Sequence, residues 1–288
     1  MTCPICSNTS SRIFSKDTYW IRSCDRCHHQ FAELIPDDDH IHTVYGDHYF
    51  NGGGVGYDNY IFEAEILRAH GKRYGHLLNK YMAPGTVLDV GAAGGFVLQG
   101  LFDCGWRGRG LEPNAWMASH ARDTLGIPVD IGCLESFHCD DRFQLLTMIQ
   151  VIPHFANLSR ALEAAASVTA AEGFWLVETW NRDSWTARCF GTHWHEYSPP
   201  SVLHWFSPEG LKQLAGQYGF QEVARGRPRK WLQGGHAKTL LQAKCQDTWW
   251  APLVLGLASA VPNRLPIPYP AEDLFWMLFR NTSQSAAL

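Results

Sequence analysis

The chain has 288 residues and a formal net charge of −4, with 24 lysines and arginines against 28 acidic residues. This length suits one sizeable α/β domain with a small appendage, and the slightly acidic balance argues against nucleic acid as the main partner. Because no apolar signal segment stands at the N-terminus, we expect a cytoplasmic protein, in which the nine cysteines are thiols or metal ligands rather than disulfides.

Two C-x-x-C pairs open the chain and indicate a metal site. Each pair presents two thiolates on one side of a tight turn, and two such pairs can close a tetrahedral Zn²⁺ site. Short strand-like runs between the pairs predict a structural zinc ribbon over residues 1–35, with the metal supplying the folding energy. A redox pair is the weaker alternative, because one C-x-x-C would suffice for it. The expected ligands are Cys3, Cys6, Cys24 and Cys27.

Residues 36–60 are predicted to be a linker followed by an aromatic and glycine-rich segment. The ribbon and linker hold few basic residues, and the run Asp37-Asp38-Asp39 adds negative charge. They lack the cluster of basic residues that binding to a nucleic-acid phosphate backbone requires. We therefore expect the ribbon to contact protein or to support a lid, and the main domain to occupy residues 61–288.

The stretch around residues 86–96 predicts a nucleoside-binding turn. Residues 86–90 form a short, mainly apolar run typical of a buried strand, and the small residues after it let the backbone approach a ligand closely. Glu112 ends a second strand-like run and is placed to accept both hydroxyls of a ribose. Asp89 beside the turn would repel a phosphate but suits a cationic, phosphate-free ligand.

Strands and helices then alternate along the chain, which predicts a parallel, doubly wound, Rossmann-like sheet of about seven strands. A helix is expected over about 58–82, ahead of the first strand of the main domain. The expected strands are 86–90, 106–111, 129–131, 143–149, 174–179 and a final antiparallel strand at 273–280.

Three motifs resemble those of class I S-adenosylmethionine (SAM)-dependent methyltransferases. Asp89, Gly91 and Gly95 match the family's D-x-G-x-G-x-G turn, with Ala93 at the middle glycine. Residues 143–154 are similar to its fourth-strand motif, with Gln144 in place of the usual Asp. Residues 178–181, Glu-Thr-Trp-Asn, resemble an E-T-P-N segment in bacterial members that often carry an N-terminal zinc ribbon and act mostly on small molecules.

This resemblance implies an activity and a set of cofactor contacts. We expect methyl transfer from SAM to a small biosynthetic acceptor, with oxygen, nitrogen and carbon all left open as the methylated atom. An aromatic segment containing Tyr45 and Tyr49 is expected to cover the cofactor. The residues expected to bind SAM are Tyr49, Asp89, Gly91, Ala93, Gly95, Glu112 and Gln150.

Histidines near the strand ends are candidates for removing a proton from the acceptor, a task that histidine performs well near neutral pH. His154 follows the fourth predicted strand, and His193 and His195 lie in an insertion at about 181–206. We expect the latter two, with Trp180 and Trp194, to wall an acceptor pocket at the carboxyl ends of the strands.

Residues 249–261 are uncharged and mainly apolar, but too few to span a bilayer. They are interpreted either as a core helix or as an interfacial helix giving peripheral membrane contact. Two other functions also stay open. One is an RNA methyltransferase whose ribbon contacts the substrate, and the other is a non-catalytic SAM- or zinc-dependent interaction protein. The sequence leaves the oligomeric state undetermined.

Overall fold

The structure is a computed structural model that describes residues 1–36, 40–47, 50, 60–235, 238, 251–263, 265–269 and 271–283. In chain order its strands are β1 (Ser10–Lys16), β2 (Tyr19–Cys24), β3 (Gln30–Ala32), β4 (Thr86–Val90), β5 (Arg107–Glu112), β6 (Val129–Ile131), β7 (Phe143–Ile149), β8 (Thr169–Trp180), β9 (His204–Trp205), β10 (Phe220–Gly226), β11 (Lys230–Gln233), β12 (Pro266–Tyr269) and β13 (Leu274–Asn281).

The helices surround the strands. They are α1 (His40–Val44), α2 (Ala64–Leu78), α3 (Phe96–Phe102), α4 (Ala115–Leu125), α5 (Leu158–Val168), α6 (Trp185–Phe190), α7 (Pro208–Gln217) and α8 (Ala251–Ser259). Four 3₁₀ turns lie between them, at Tyr60–Glu63, Leu134–Ser136, Ile152–His154 and Gly191–His193.

The main sheet has seven strands in the order β10-β13-β8-β7-β4-β5-β6. Strands β4 to β8 pair in parallel, and β13 lies antiparallel between β8 and β10. The predicted Rossmann-like sheet and its antiparallel final strand are confirmed. Strand β8 starts earlier than predicted, because Thr169 pairs with Phe143 across an irregularity in the register.

Helix α2 is shorter than the predicted helix. The 3₁₀ turn precedes it, Asn79 caps its C-terminus, and Pro84 follows before β4. The helix crosses α3 at very close range, since a Cβ on Gly71 would lie 2.1 Å from the Val97 carbonyl oxygen and one on Gly100 2.1 Å from that of Arg68. Only glycine permits this crossing, and it fixes α2 above the sheet.

The N-terminal ribbon is part of a larger packing unit. Strands β1 and β2 pair as predicted, and β3 then pairs with β9, placing Phe31 opposite His204. Cys3 and Phe31 belong to the same buried cluster as Phe206 and the core on one face of the main sheet. The ribbon therefore packs directly on the domain that follows it.

Helix α8 corresponds to the described part of the apolar segment 249–261. Leu257 is 69% exposed, and the neighbouring Gly256, Ser259 and Ala260 are exposed as well. The core-helix alternative is therefore wrong for this part of the segment. None of the helices in the described part of the chain has the length and apolar character needed to cross a membrane.

Candidate active site

A cavity of about 510 Å³ opens at the carboxyl ends of β4, β5, β7 and β8. The loops after parallel strands meet at this edge of the sheet, where open α/β folds bind their ligands. Within the described residues, the cavity is lined by Asp89, Gly91, Ala93, Glu112 and Gln150 from the predicted cofactor set, together with Glu178 at the end of β8.

The turn after β4 depends on left-handed backbone conformations. Gly91 has φ +68° and Gly95 has φ +77°, the latter at the N-terminus of α3. A Cβ on Gly91 would also lie 2.7 Å from Cγ2 of Val151. Ala93 adopts φ +45° and its N–H donates to Glu112. The turn thus brings bare backbone to the cavity wall.

Glu112 is a buried carboxylate held by backbone donors. Its Oε2 accepts from the Ala93 N–H at 2.8 Å, and its Oε1 accepts from the Asn114 N–H at 2.9 Å. Burial raises the pKa of Glu112 to about 7, against the opposing effect of these two hydrogen bonds. Remaining lone pairs on both oxygens can accept from a ligand.

Asp89 is buried beside this turn, with 3% of its surface exposed. Its Oδ1 accepts from the Thr147 hydroxyl at 2.5 Å. Burial raises the pKa of Asp89 to about 7, although the Thr147 hydrogen bond opposes the shift. Two buried acids with raised pKa values in one cavity make the site favourable for a cationic ligand.

Glu178 is the centre of a second group of polar side chains, on the α2 side of the cavity. Its Oε2 accepts from His70 Nε2 at 2.9 Å and from the Tyr74 hydroxyl, and its Oε1 accepts from Gln150 Nε2 at 2.7 Å. Burial raises the pKa of Glu178, but the positive charge of a protonated His70 and the hydrogen bonds from His70, Gln150 and Tyr74 outweigh it and lower the pKa to about 2.

Sequence reasoning missed two of these groups, His70 and Tyr74, and also Arg73 beside them. His70 and Arg73 line the cavity, and Arg73 Nη2 lies 3.3 Å from His70 Nδ1. The sequence places these three polar residues on one predicted helix, but no pattern in the neighbouring sequence predicts that they face β8. Gln150 was predicted to contact SAM; it lines the cavity with φ +57° while its amide binds Glu178.

His154 lies in the cavity wall and is fully engaged. Its Nδ1 is 2.7 Å from the Ser201 carbonyl oxygen and 2.9 Å from the Tyr45 hydroxyl. Burial lowers the pKa of His154, and hydrogen bonds that its ring donates to the Ser201 and Gln150 carbonyls oppose that shift. The neutral ring is therefore anchored between loops.

The other predicted bases are placed differently from one another. His195 lines the cavity, stacks edge-on against Trp180 with ring centroids 4.7 Å apart, and lies 3.3 Å from Glu196. His193 is exposed on a 3₁₀ turn outside the cavity. Trp194 is buried in a separate cluster, with its indole N–H on Asp273.

These positions correct the prediction that His193 and Trp194 wall the acceptor pocket. His193 lies on the 3₁₀ turn Gly191–His193, and Trp194 packs into a separate buried cluster, while Trp180 and His195 line the cavity. Tyr49, the remaining predicted cofactor contact, lies outside the described residues.

The four N-terminal cysteines form a compact cluster. Their sulfur atoms all lie within 4.8 Å of one another, with Cys3 and Cys6 each 3.5 Å from Cys27, and Cys6 3.4 Å from Cys24. Backbone N–H groups of Ile5 and Arg26 donate to two of the sulfurs at 3.4 Å. A tetrahedral ion with about 2.3 Å metal–sulfur bonds would place its ligands about 3.8 Å apart.

A seven-stranded sheet with one antiparallel strand, a glycine turn after β4 and an acid after β5 defines the fold of class I SAM-dependent methyltransferases. The chain belongs to the methyltransferase-domain family, whose sequence profile matches residues 64–224, more than half of the chain. The family assignment predicted from the sequence motifs is confirmed.

Two curated relatives are ubiquinone biosynthesis O-methyltransferases. The one from Methylobacterium sp. (strain 4-46) is 27% identical over 41% of this chain and 55% of its own length. The one from Nitrobacter winogradskyi is 24% identical over 57% of this chain and 62% of its own length. The matched part therefore spans less than two thirds of either relative.

Solved structures share the fold. A SAM-dependent methyltransferase of Thermotoga maritima, described as a possible histamine N-methyltransferase, superposes with a TM-score of 0.50, 17% identity, and coverage of 78% of this chain and 94% of its own. The 1,6-didemethyltoxoflavin-N1-methyltransferase of Burkholderia thailandensis gives a TM-score of 0.53, 13% identity, and coverage of 94% and 99%.

Proposed function

We propose that this protein transfers a methyl group from SAM to an oxygen atom of a small biosynthetic acceptor. The observation that carries the proposal is the cavity that joins the glycine turn and Glu112 to the polar group around Glu178. One side has the features of a nucleoside site, and the other offers groups for an acceptor. The O-methyltransferase names of the relatives favour oxygen.

The residues present fit SAM. Glu112 would accept from the ribose hydroxyls, the backbone of Gly91 to Ala93 would face the ligand, and Asp89 would lie near its positive charge. SAM supplies a methyl group already activated on a sulfonium. The protein must therefore orient the acceptor and manage its proton.

The test measures S-adenosylhomocysteine formed from SAM by purified protein, with and without a panel of catechols and hydroxyquinols. Acceptor-dependent turnover that yields methyl ethers, identified by mass spectrometry, is the expected result. Tight SAM binding with no turnover on oxygen, nitrogen or carbon acceptors would instead favour a non-catalytic SAM-binding protein.

We also propose that the four-cysteine cluster holds a structural Zn²⁺. The all-sulfur donor set and the N–H donors around it suit zinc, and four cysteines leave no position for a substrate. The expected metal content is one Zn²⁺ per chain, and elemental analysis of protein purified without chelators measures it. Protein without zinc but with a folded ribbon would contradict this proposal.

The charges on the ribbon favour a small-molecule acceptor over RNA. Arg12 and Arg22 are both paired with Glu33, at 2.5 Å and 2.7 Å, so this carboxylate offsets part of the positive charge of the ribbon. Binding of an RNA backbone requires basic side chains that are free to contact phosphates. We infer that the ribbon supports the fold of the methyltransferase domain rather than contacting nucleic acid.

A further inference from the structure

We propose that His70 is the general base that takes the proton of an acidic hydroxyl on the acceptor, with Glu178 as its positioning residue and Arg73 facing the oxygen that becomes negative. This inference rests on the proposed methyl transfer and adds its base and the chemical class of the acceptor, a phenol or enol. Neither His70 nor Arg73 was marked by a sequence motif.

The contacts of Glu178 assign the proton on His70. Glu178 has no exposed surface and receives hydrogen bonds from three side chains, His70, Tyr74 and Gln150. A carboxylate surrounded by donors stays ionised and accepts only. His70 Nε2 must therefore carry the hydrogen, as in other carboxylate–histidine pairs in which the acid fixes the tautomer and supports the imidazolium.

The contact with Arg73 indicates that Nδ1 of His70 carries the ring's lone pair, which accepts a hydrogen bond from the guanidinium. Arg73 Nη2 lies 3.3 Å from Nδ1, and a guanidinium can only donate. A proton on Nδ1 would face that donor, so the neutral ring with an unprotonated Nδ1 is the form that the contact favours. Both side chains line the cavity, which places this lone pair beside the space for the acceptor.

The charge of Glu178 stabilises the Arg73 guanidinium, but the hydrogen-bonding capacity of that guanidinium is not filled within the described residues. Its Nε is buried with no hydrogen-bond partner among the described residues. Burial lowers the pKa of Arg73, the charges of Tyr74 and Glu178 oppose this, and the positive charge of Arg229 adds to it. An oxyanion on the acceptor would satisfy the guanidinium and release Nδ1 for the proton.

Part of the cavity lining is apolar and aromatic. It includes Ile66 and Leu67 on α2, Trp180 at the end of β8, and Trp231 and Leu232 on β11. Such walls suit a flat ring carrying one ionisable hydroxyl. The glycine crossing of α2 and α3 holds His70 rigidly against β8, as a positioned base requires.

The other histidines in the cavity are less suited to the task. His154 Nδ1 contacts the Ser201 carbonyl and the Tyr45 hydroxyl, and the ring also donates to the Gln150 carbonyl, so this ring is held by groups of the protein. His195 lies 3.3 Å from Glu196, and these two side chains are more exposed, at 28% and 14%, than those of His70 and Glu178, at 11% and 1%. The position of His70 explains why a base can be present although His193 lies outside the cavity.

The proposed step is balanced. The hydroxyl oxygen forms a bond to the methyl carbon, the carbon–sulfur bond breaks with its electron pair going to sulfur, and the hydroxyl proton passes to His70 Nδ1. The imidazolium, stabilised by Glu178, later releases that proton to water. The step requires no oxidant or reductant.

The first experiment is independent of turnover and uses 4-nitrophenol, whose phenolate absorbs visible light. Protein saturated with S-adenosylhomocysteine should bind the probe as phenolate well below the pH at which it ionises in water. His70→Gln and Arg73→Met should each reduce this shift, and His76→Ala, an exposed histidine on the same helix, should leave it unchanged. An unshifted probe on the wild-type protein, or a full shift in both variants, would overturn the inference.

The second experiment measures methyl transfer with an acceptor found active on the wild-type protein. His70→Gln should keep its affinity for S-adenosylhomocysteine but transfer methyl about 10²–10⁴-fold more slowly near neutral pH. The loss should shrink at high pH and with more acidic phenols, because these ionise unaided. A loss independent of pH and of acceptor acidity would indicate a structural role only and overturn the inference.

Glu178→Gln tests whether Glu178 positions His70. It also provides a second variant in case His70→Gln loses activity only because it misfolds. Glu178→Gln keeps an acceptor for His70 Nε2 but removes the negative charge, so the rate should fall and the pH profile should move while thermal unfolding stays cooperative. If wild-type protein shifts the probe yet transfers no methyl group, the proposed function fails while the phenol site stands. If it transfers methyl and His70 variants match it at every pH, this inference alone fails.

Discussion

Asp89 and Glu112 show how single residues prepare the cavity for its ligand. Both carboxyls are nearly inaccessible to solvent, and burial raises the pKa of each to about 7. Neither carboxyl has a salt-bridge partner within the described residues. A cationic ligand with hydroxyl donors would stabilise both ionised forms, so ligand binding and proton release should be coupled.

The first prediction concerns Glu112. Glu112→Gln keeps an oxygen for one backbone N–H but removes the charge and one acceptor, so affinity for S-adenosylhomocysteine should fall by about 1–3 kcal/mol, roughly 5- to 150-fold. Isothermal titration calorimetry measures it, with Glu163→Gln on the exposed face of α5 as the control. Equal affinity in both variants would reject the ribose assignment.

The second prediction concerns Asp89 and pH. The folded pKa of about 7 exceeds the ordinary value of 3.8, so the ligand-free folded state holds a proton that the unfolded chain releases. The resulting stabilisation is present below about pH 4 and is lost as the pH rises through 7. An asparagine at this position cannot ionise, so Asp89→Asn does not lose this stabilisation. The free energy of unfolding of the variant, minus that of the wild-type protein, should therefore increase from pH 5 to pH 8, by on the order of 1–3 kcal/mol.

Thermal unfolding of ligand-free protein across that pH range measures the difference. The wild-type curve should decline more steeply than that of the variant, and added SAM should narrow the gap at pH 8 by stabilising the carboxylate. Parallel curves would show that Asp89 does not titrate in this range.

At the scale of elements, the ribbon and the cavity are joined through one short strand pair. The Ala32 N–H donates to the Leu203 carbonyl, and the Leu203 N–H donates to the Pro153 carbonyl, each at 2.9 Å. Two residues earlier, the Ser201 carbonyl accepts from His154 in the cavity wall. The fold of the ribbon thus supports the loop that closes one side of the active site.

The third prediction follows from this connection. If the cysteine cluster holds the proposed Zn²⁺, Cys24→Ser should lose the metal and release β3 from β9, because a structural metal supplies folding energy to a small ribbon. Elemental analysis measures the zinc, and hydrogen exchange should show faster exchange at Ala32 and Leu203 while β7 and β8 stay protected. Cys189→Ser, at an exposed thiol, is the control. Retained zinc, or unchanged protection at Ala32, would contradict it.

At the scale of the whole molecule, the apolar surface of α8 is the feature that the active site does not explain. Leu257 on α8 is 69% exposed, and Leu265, beyond the helix, is 47% exposed; the chain has a net charge of −4. Peripheral membrane contact through residues 249–261 stays a prediction, and the negative charge favours a zwitterionic surface over an anionic one.

The fourth prediction tests that contact. Phosphatidylcholine vesicles should sediment wild-type protein, and Leu257→Glu should lower the partition coefficient by about tenfold or more, since burying a leucine contributes about 1.5–3 kcal/mol. Val223→Glu, at an exposed position on β10, is the matched control. If the wild-type protein and both variants sediment with the vesicles to the same extent, or if the wild-type protein does not sediment with them, the proposed membrane contact is wrong.

The sequence by itself determined the features that are encoded within short stretches. The two C-x-x-C pairs, the strand and glycine turn at 86–95, and Glu112 one unit later each carry their geometry locally. The alternation of elements then determined the class of the sheet. These patterns are reliable because backbone sterics and side-chain periodicity act over a few residues.

Only the tertiary structure decided which side chains meet in the cavity. His70 and Glu178 lie 108 residues apart, and they touch because Gly71 and Gly100 let α2 press onto α3 above β8. His29 and His204, 175 residues apart, meet because β3 pairs with β9. The orientation after β8 likewise turned His193 outward and His195 inward. Such contacts depend on how whole elements pack, and no local pattern in the chain specifies that packing.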